Sequence, residues 1–336
     1  MWVTYYHRRP QGSNFSIERL FKDVRQSLPG NIEAKIVVSR FPSRGILGRL
    51  YNVVEAIFRQ GDVNHITGDV HYLALLLYKK RTLLTIHDLV SVHRLKGWKR
   101  YLLLLLWYRL PIRRSALVTV ISESTKEDLL RHIKVDPQKI RVIHDCVSCD
   151  FQHAPKGFNA TNPVILQIGT GQNKNIERLA EALEDIPCHL RIVGLLNVKQ
   201  EAALRKYGIG YSFVGNISDK QVIEEYRCCD MLVFASTYEG FGLPIVEAQA
   251  TGRPVVTSNI LSMPEVAGGA ACLVDPFEVA SIRCGILKVI NDAWFRDELV
   301  RRGLENIDRF RPGIIAAQYT DIYRELLEHC VAKYES

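Results

Sequence analysis

The length of 336 residues exceeds the size at which one hydrophobic core keeps growing, so the chain is expected to form two domains of about 150 residues each. Hydrophobic residues make up 47% of the sequence and charged residues 24%, which excludes extended disorder. The net charge of +8 is unevenly divided, since residues 1–160 hold 26 Lys and Arg against 13 Asp and Glu. A basic half predicts an anionic partner such as nucleic acid, phospholipid head groups or a phosphorylated substrate, or else only a solvated basic surface.

The sequence predicts neither a signal peptide nor a membrane-spanning segment. The opening MWVTYYHRRP becomes charged before an apolar run develops, and the longest apolar run, 101–108, is shorter than the about 18 residues of a membrane span. We therefore expect a cytoplasmic protein whose eight cysteines are mostly reduced and buried.

Strand and helix patterns alternate through the first half of the chain. In order they are WVTYY, IERLFKDVRQSL, AKIVVS, ILGRLYNVVEAIF, TLLTIHD, the leucine-rich 98–110, LVTVIS and KEDLLRHI. This alternation is typical of a parallel sheet covered by helices. Ser124 with Glu127 predicts a capping box at the start of the last of these helices.

The segment 94–114 carries seven Lys or Arg and no acidic residue, with two Trp and two Tyr around its leucines. This composition suits an anionic membrane surface that carries a lipid-linked acceptor. It suits equally a leucine-rich helix packed on the sheet with its basic ends in water.

A cysteine pair near the middle of the chain, Cys146 and Cys149, has metal-ligand spacing, with His144 and His153 on either side. Structural zinc usually draws on a second such pair, which the chain lacks. We interpret the segment as a strand end that runs into the interdomain linker.

The strand pattern starts again after a Pro-, Gly-, Asn- and Thr-rich interval, with VILQIG, HLRIVG, SFVG, MLVFAS and PVVTS. We therefore predict an α/β protein with two doubly wound, Rossmann-like domains, 1–153 and 164–336, joined by a linker at 154–163. The last helix is free to pack back on the N-terminal domain. In such sheets ligands bind at the carboxyl ends of the strands. Ser218 with Gln221 predicts a second capping box.

The loop GTGQNKN follows the first strand of the second half. Gly169 and Gly171 have dinucleotide-fingerprint spacing, but Lys174 stands where the third glycine belongs and HLRIVG does not end in an acidic residue. A nicotinamide or flavin cofactor is therefore disfavoured. A glycine-rich turn with a lysine at a helix start suits a diphosphate, through backbone N–H groups, the helix dipole and a cation. An ordinary turn with an exposed lysine remains the alternative.

Two glutamates eight positions apart bracket a glycine-aromatic-glycine turn in STYEGFGLPIVEA. Glu239 is predicted on the loop after MLVFAS, and Glu247 on the following helix. Gly240 and Gly242 let the backbone approach a ligand closely. Each carboxylate can accept hydrogen bonds from two hydroxyls of a vicinal diol, which suits a ribose at one glutamate and a hexose at the other.

The stretch EGFGLPIVEA followed by GRPVVTSNILSMPEVAGGAACLVDP resembles the donor-site signature of retaining GT-B glycosyltransferases of family four. LLTIHDL, LVTVISESTKEDLLRHIKVDPQKIRVI, ILQIGTGQNKNIERLAEAL and FVGNISDKQVIEEYRCCDMLVFAS are similar to further blocks of that family, in order. The resemblance implies two Rossmann-like domains with an interdomain cleft, a nucleotide-sugar donor on the C-terminal domain and a glycan or lipid-linked acceptor on the other. It also implies transfer with retention, in surface polysaccharide or lipopolysaccharide biosynthesis at the inner face of the cell membrane.

The resemblance implies a role for individual residues. Glu247 would hold the ribose diol, Glu239 the transferred sugar and Lys174 the diphosphate, while His87 would face the reacting centre. Backbone groups would complete the donor site at Gly169, Thr170, Asn216, Ile217, Phe241, Gly242 and Leu243.

One feature departs from the family pattern. The family commonly carries an arginine just before the lysine, and residues 170–173 supply none. Arg8 and Arg9, in a loop with Gly12 and Ser13, are candidates for a second phosphate-binding cation, or else are solvated surface charges.

We expect no metal and no cofactor besides the nucleotide-sugar substrate, because the chain lacks the Asp-x-Asp element of the alternative transferase fold. Nucleic acid is not expected as a partner. Two alternatives are a non-catalytic sugar-nucleotide or glycan-binding relative and a sugar-nucleotide epimerase of similar architecture. The presence of all four proposed site residues argues against the non-catalytic relative; they are His87, Lys174, Glu239 and Glu247. The epimerases are not expected to carry the two-glutamate element.

Overall fold

The computed structural model describes residues 1–9, 16–43 and 45–331. It divides into two compact units, one formed by Met1–Cys146 with the chain from Pro312 onward, the other by Val147–Arg311. The strands are β1 Trp2–His7, β2 Glu33–Val38, β3 Val63–Ile66, β4 Thr82–Ile86, β5 Leu117–Val120, β6 Ile140–Val142, β7 Val164–Ile168, β8 His189–Val193, β9 Tyr211–Val214, β10 Met231–Phe234, β11 Val255–Ser258 and β12 Cys272–Val274.

The helices cover both faces of these sheets. They are α1 Ser16–Gln26, α2 Ile46–Ile57, α3 Val90–Arg94, α4 Gly97–Leu103, α5 Leu110–Arg114, α6 Glu123–His132, α7 Ile176–Ala182, α8 Val198–Lys206, α9 Asp219–Cys228, α10 Leu243–Ala250, α11 Met263–Ala267, α12 Val279–Asn291, α13 Ala293–Asn306 and α14 Pro312–Val331. A π-helical segment, Leu104–Arg109, joins α4 to α5. Short 3-10 turns occur at His71–Leu75, Lys79–Arg81, Pro137–Lys139, Gln172–Lys174 and Ile307–Phe310.

Each unit contains one six-stranded sheet, and all the strand pairs are parallel. The order is β2-β1-β3-β4-β5-β6 in the first sheet and β12-β11-β10-β7-β8-β9 in the second. The central strands β3, β4, β5, β10 and β11 are buried along their whole length, because helices cover both faces of a parallel sheet. The prediction of two doubly wound α/β domains is confirmed.

The C-terminal helix α14 belongs to the first unit, where it packs beside α1. Tyr319 and Tyr323 of α14 are buried in the core that includes Tyr5 of β1. The hydroxyl of Tyr323 lies 2.8 Å from the Tyr5 hydroxyl and 2.8 Å from Nδ1 of His65. These polar contacts satisfy groups that would otherwise be buried without partners.

The division between the units differs from the predicted one. It falls after Cys146, so both the end of the predicted first domain and the predicted linker 154–163 belong to the second unit. The ring of Phe151 packs edge-on against Tyr226, and the ammonium group of Lys156 pairs with the buried Asp230 at 2.7 Å. A Pro- and Gly-rich composition therefore marks an irregular segment here, and not the boundary itself.

The two predicted capping boxes have different outcomes. Ser218 and Gln221 exchange both hydrogen bonds at the start of α9, as predicted. At the start of α6 the N-cap is Ser122, two residues earlier than Ser124, because the Ser122 hydroxyl accepts from the amide of Thr125. The prediction for Ser124 is therefore wrong.

The basic segment 94–114 is helical through α4, the π-helical turn and α5. Tyr108 and Ile112 are buried in the core of the first unit, whereas Trp98 and Tyr101 are exposed. One face of the segment therefore packs, and its N-terminal half presents aromatic side chains outward. Within the part of the chain that the structure describes, none of the helices has both the length and the apolar character needed to cross a membrane.

The packing of α12 against the sheet of the second unit can be tested at Gly285, where helix and sheet are in close contact. A Cβ at this position of α12 would overlap the buried Val274 side chain of β12. Gly285→Ala should therefore destabilise the protein by roughly 1 to 3 kcal/mol, measured as a lower urea midpoint. The control Gly313→Ala, in α14 with no atom within 4 Å of the added Cβ, should change stability by less than about 1 kcal/mol. Equal effects of both variants would contradict the packing described here.

Candidate functional site

The second sheet reverses its strand order between β7 and β10, which are neighbours although two strands, β8 and β9, separate them in sequence. The chain runs from β7 outward to β8 and β9 on one side, and from β10 to β11 and β12 on the other. The loops that follow β7 and β10 lie side by side at the carboxyl ends of the strands, where sheets of this kind bind ligands. These loops are the GTGQNKN loop and the loop that carries Glu239.

The backbone of the GTGQNKN loop is shaped by Gly169 and Asn175. Gly169 has a φ of 83°, its amide donates to the carbonyl of Val193 at 2.7 Å, and an added Cβ would meet the side chain of Lys174. Asn175 is left-handed, and its side-chain amide donates to the carbonyl oxygens of Ala235 and Pro276. The glycine thus makes room for the lysine stem, and the asparagine ties the loop to the end of β10.

Lys174 and Glu239 meet directly between these two loops. The Nζ of Lys174 lies 2.7 Å from Oε1 of Glu239 and 4.4 Å from the centre of the Phe234 ring. Asn173 donates from its side-chain amide to the same carboxylate oxygen at 3.1 Å and to the carbonyl of Tyr238 at 2.8 Å. One cation and one amide, both from the loop after β7, therefore hold the carboxylate that follows β10.

The turn after Glu239 leads into α10. The hydroxyl of Ser262 donates to the carbonyls of Glu239 and Phe241, and the ring of Phe241 packs edge-on against Phe310. Gly242, with a φ of 105°, is the N-cap of α10. The Phe241 side chain is buried, so this residue offers a ligand its backbone and not its ring.

Glu247 is the fifth of the 8 residues of α10 and is buried. Its Oε2 accepts a hydrogen bond of 2.7 Å from the hydroxyl of Tyr226, which is fully buried on α9. A charge-assisted hydrogen bond of this kind fixes the orientation of the carboxylate.

The remaining predicted donor residues lie further along the same edge of the second sheet. Thr170 donates from its hydroxyl to the carbonyl of Leu195 at 2.8 Å, so its side chain joins the loops after β7 and β8. Asn216 and Ile217 follow β9, the outermost strand on that side. Asn216 is exposed and left-handed, with a φ of 56°. The structure therefore separates these two residues from Glu239 by the width of β7 and β8.

His87 directly follows β4 in the first unit and is buried. Its Nε2–H donates to the carbonyl of Thr67 at 2.9 Å, and its Nδ1 lies 3.9 Å from Oδ1 of Asp145. Burial raises the pKa of Asp145 to about 6, against the opposing effects of His87 and His144. Burial lowers the pKa of the nearby His7 to about 3, with further lowering from Arg25, Arg8 and His87.

The two candidate arginines of the first unit both have partners. Arg8 pairs with Glu18 at 3.1 Å and with Asp69 at 3.0 Å, and Arg9 donates to the carbonyl of Arg40. A phosphate would have to compete with these partners. The other two predicted members of this loop, Gly12 and Ser13, lie outside the described residues.

The structure adds three residues that sequence reasoning missed. They are Asn173, Tyr226 and Asp145. Asn173 could have been found as the neighbour of Lys174 in the glycine-rich loop, whereas no local pattern marks Tyr226 or Asp145.

The cysteine pair of residues 146 and 149 has no metal-site geometry in the described part of the chain. Cys146 is buried, with its Sγ 3.7 Å from the carbonyl of Leu20, while Cys149 is exposed.

Comparison with known proteins identifies two consecutive domains. Residues 9–151 match the family model described as Glycosyltransferase Family 4, and residues 149–306 match the one described as Glycosyl transferases group 1. The chain is 28% identical over 237 residues to O-antigen chain mannosyltransferase B of Escherichia coli, covering 63% of this chain and 61% of the relative. It is 28% identical over 221 residues to serotype-specific mannosyltransferase WbdA of Escherichia coli, covering 59% of this chain and 27% of the relative.

The chain thus spans only part of the length of both relatives. Among solved structures, sucrose-phosphate synthase from Thermosynechococcus elongatus is similar with a TM-score of 0.79 and 19% identity, over 98% of this chain and 99% of that chain. The likeness confirms the GT-B prediction at the level of the fold.

Proposed function

Because the chain belongs to the glycosyltransferases that combine a Glycosyltransferase Family 4 domain with a Glycosyl transferases group 1 domain, we propose that it transfers a hexose from a nucleotide-diphosphate sugar to a glycan or lipid-linked acceptor. The transfer retains the configuration at the anomeric carbon and serves surface polysaccharide biosynthesis. The relatives named as mannosyltransferases support mannose as the transferred sugar. The observation that carries the proposal is the contact between Lys174 and Glu239 at the reversal of strand order.

The ion pair suggests how the donor enters the site. A diphosphate carries more negative charge than a carboxylate, so it draws the Lys174 ammonium group away from Glu239. Glu239 is then available to accept hydrogen bonds from hydroxyls of the sugar. Departure of the nucleoside diphosphate builds charge on the β-phosphate, which Lys174 and the amides at Gly242 and Leu243 stabilise without reorganising.

Glu247 holds the ribose diol in this proposal. Its carboxylate is buried and oriented by Tyr226, so little conformational freedom is lost when the two ribose hydroxyls bind. His87 serves the acceptor side, in the surroundings of Thr67 and Asp145. The leaving phosphate takes the proton of the acceptor hydroxyl, and Glu239 is not a covalent nucleophile of the glycosidase type.

Product analysis distinguishes this proposal from its alternatives. Incubation with a panel of nucleotide sugars and lipid-linked or glycan acceptors should yield a glycosylated product and a free nucleoside diphosphate. An epimerised donor would instead identify a sugar-nucleotide epimerase. Donor binding without any product would identify a non-catalytic binding protein.

Neutralising Glu239 and neutralising Glu247 should have different effects on ligand binding. Glu247→Gln should weaken both the donor and the free nucleoside diphosphate by roughly 1.5 to 3 kcal/mol, because both ligands contain the ribose. Glu239→Gln should spare the free nucleotide and weaken the intact donor or lower turnover. Calorimetry with both ligands measures the difference, with Glu305→Gln, an exposed partner of Arg301, as the control. Equal loss of free nucleotide binding in both variants would contradict this division of roles.

Transfer should survive EDTA, because the proposed charge stabilisation at the diphosphate comes from Lys174 and backbone amides. The measurement is the transfer rate before and after chelation, with magnesium or manganese added back. If activity is lost on chelation and either ion restores it, the metal-independent mechanism is wrong.

We also propose that the first unit binds an anionic membrane surface where a lipid-linked acceptor is held. The helix α2 exposes an apolar stripe at positions that share one helical face. The stripe consists of Leu47, Leu50, Tyr51 and Val54 of α2, with Phe58 directly after the helix. Leu47 and Phe58 are each 83% exposed.

The helix that carries the apolar stripe, α2, contacts the basic segment 94–114. The guanidinium group of Arg49 on α2 stacks over the ring of Trp107 at 4.4 Å, which places the two helices next to each other. Trp98 at the start of α4 is 71% exposed, and the segment 94–114 carries seven Lys or Arg. An apolar stripe and a basic, aromatic segment in the same unit complement an anionic lipid surface, where interfacial aromatic residues lie at the head groups.

Binding to vesicles that contain anionic lipid should be salt-sensitive, because each cation near the surface contributes about 1 kcal/mol. The double variant Leu47→Glu/Phe58→Glu should sediment markedly less with these vesicles. Trp294→Glu is the matched control, since Trp294 is 74% exposed but lies in the second unit. Equal sedimentation with neutral and anionic vesicles, or equal loss in both variants, would refute the membrane proposal.

A further inference from the structure

Three potential metal ligands converge between two helices of the first unit, on α3 and α6. The ligand atoms of His93, Asp128 and His132 all lie within 4.8 Å of one another, and among the described residues no other group of this kind is found. The Nε2 of His93 lies 2.7 Å from Oδ2 of Asp128, and the Nε2 of His132 lies 3.5 Å from Oδ1. One carboxylate therefore stands between two imidazoles.

The ligand types and their placement suit a transition-metal ion. Two imidazole nitrogens and one carboxylate oxygen match the preferences of Zn²⁺ and Co²⁺, and three protein ligands leave a fourth position for water. Asp128 and His132 are four residues apart on α6 and project from one helical face. The side chain of His93 is 41% exposed, so an ion can reach the group from solvent.

We propose that His93, Asp128 and His132 form a binding site for a divalent transition-metal ion of the zinc class. The ion replaces the hydrogen bond between His93 and Asp128 and cross-links α3 to α6. These helices follow the neighbouring strands β4 and β5, so the cross-link stabilises the first unit. The site takes no part in the sugar transfer proposed above and does not depend on it.

Arg100 gives the proposal a sharp test. Its guanidinium nitrogen lies 3.4 Å from both ring nitrogens of His132, where a positive group opposes a bound cation. Replacing Arg100 by Gln removes this competing charge and should tighten metal binding. If the three side chains only form structural hydrogen bonds, Arg100→Gln should not increase the affinity for metal.

The experiment uses the whole chain, treated with EDTA and then dialysed, without nucleotide or acceptor. Zn²⁺ at about 100 times its dissociation constant should raise the melting temperature by roughly 5 °C, and EDTA should reverse the shift. His93→Ala and His132→Ala should each weaken binding by about tenfold or more in calorimetry, while Arg100→Gln strengthens it. The control His153→Ala removes an exposed imidazole of the second unit and should bind as the unaltered chain does.

Cobalt distinguishes this site from binding to exposed thiols such as Cys149, Cys228 and Cys284. Co²⁺ bound by nitrogen and oxygen ligands should give visible ligand-field bands without a thiolate charge-transfer band. A charge-transfer band, unchanged affinity in both histidine variants, or no metal-dependent shift in melting temperature would each overturn the proposal. A normal melting temperature of His93→Ala in EDTA excludes misfolding as the cause of lost binding. Because no substrate is present, these outcomes leave the proposed transfer reaction untouched.

Discussion

The ion pair between Lys174 and Glu239 is the interaction on which the candidate donor site depends, and the strand order makes it possible. Parallel strands end at one edge of a sheet, and the pairing of β7 with β10 places the loops that follow them side by side. Residues 65 positions apart thereby come within 2.7 Å. Gly169 leaves room for the side chain of Lys174, and Asn173 donates a hydrogen bond to the carboxylate of Glu239.

The two glutamates are supported with different rigidity. The helix α10, which carries Glu247, is buried from Ile245 to Ala250, and the amide of Gln249 donates to two carbonyls at the end of α11 and just beyond it. Asn306 donates in turn to the side chain of Gln249 at 2.9 Å. Glu239, in contrast, lies on a loop and is held mainly by polar contacts that a charged ligand can replace. Under the proposed roles, a rigid group for the ribose beside an exchangeable group for the sugar suits a site that must release its product.

In the first unit, burial shifts the pKa of ionisable groups near His87 towards the uncharged form. Burial lowers the pKa of His65 well below its usual value, and the nearby charges of His7, His87 and Arg25 lower it further. Desolvation disfavours the charged form of acids as well as of bases, and it therefore raises the pKa of Asp145. His7 and His65 are therefore uncharged at neutral pH, whereas the candidate site of the second unit contains the charged pair Lys174 and Glu239.

The sequence by itself determined the elements whose information is local. Alternating strand and helix patterns indicated both sheets, the motif EGFGLPIVE indicated the family and its two glutamates, and Ser218 with Gln221 indicated a helix start. Only the tertiary structure decided that α14 joins the first unit, that residues 154–163 belong to the second, and that Tyr226 orients Glu247. The physical reason is that these contacts join residues remote along the chain, and only the packing of the buried side chains around them brings such residues together.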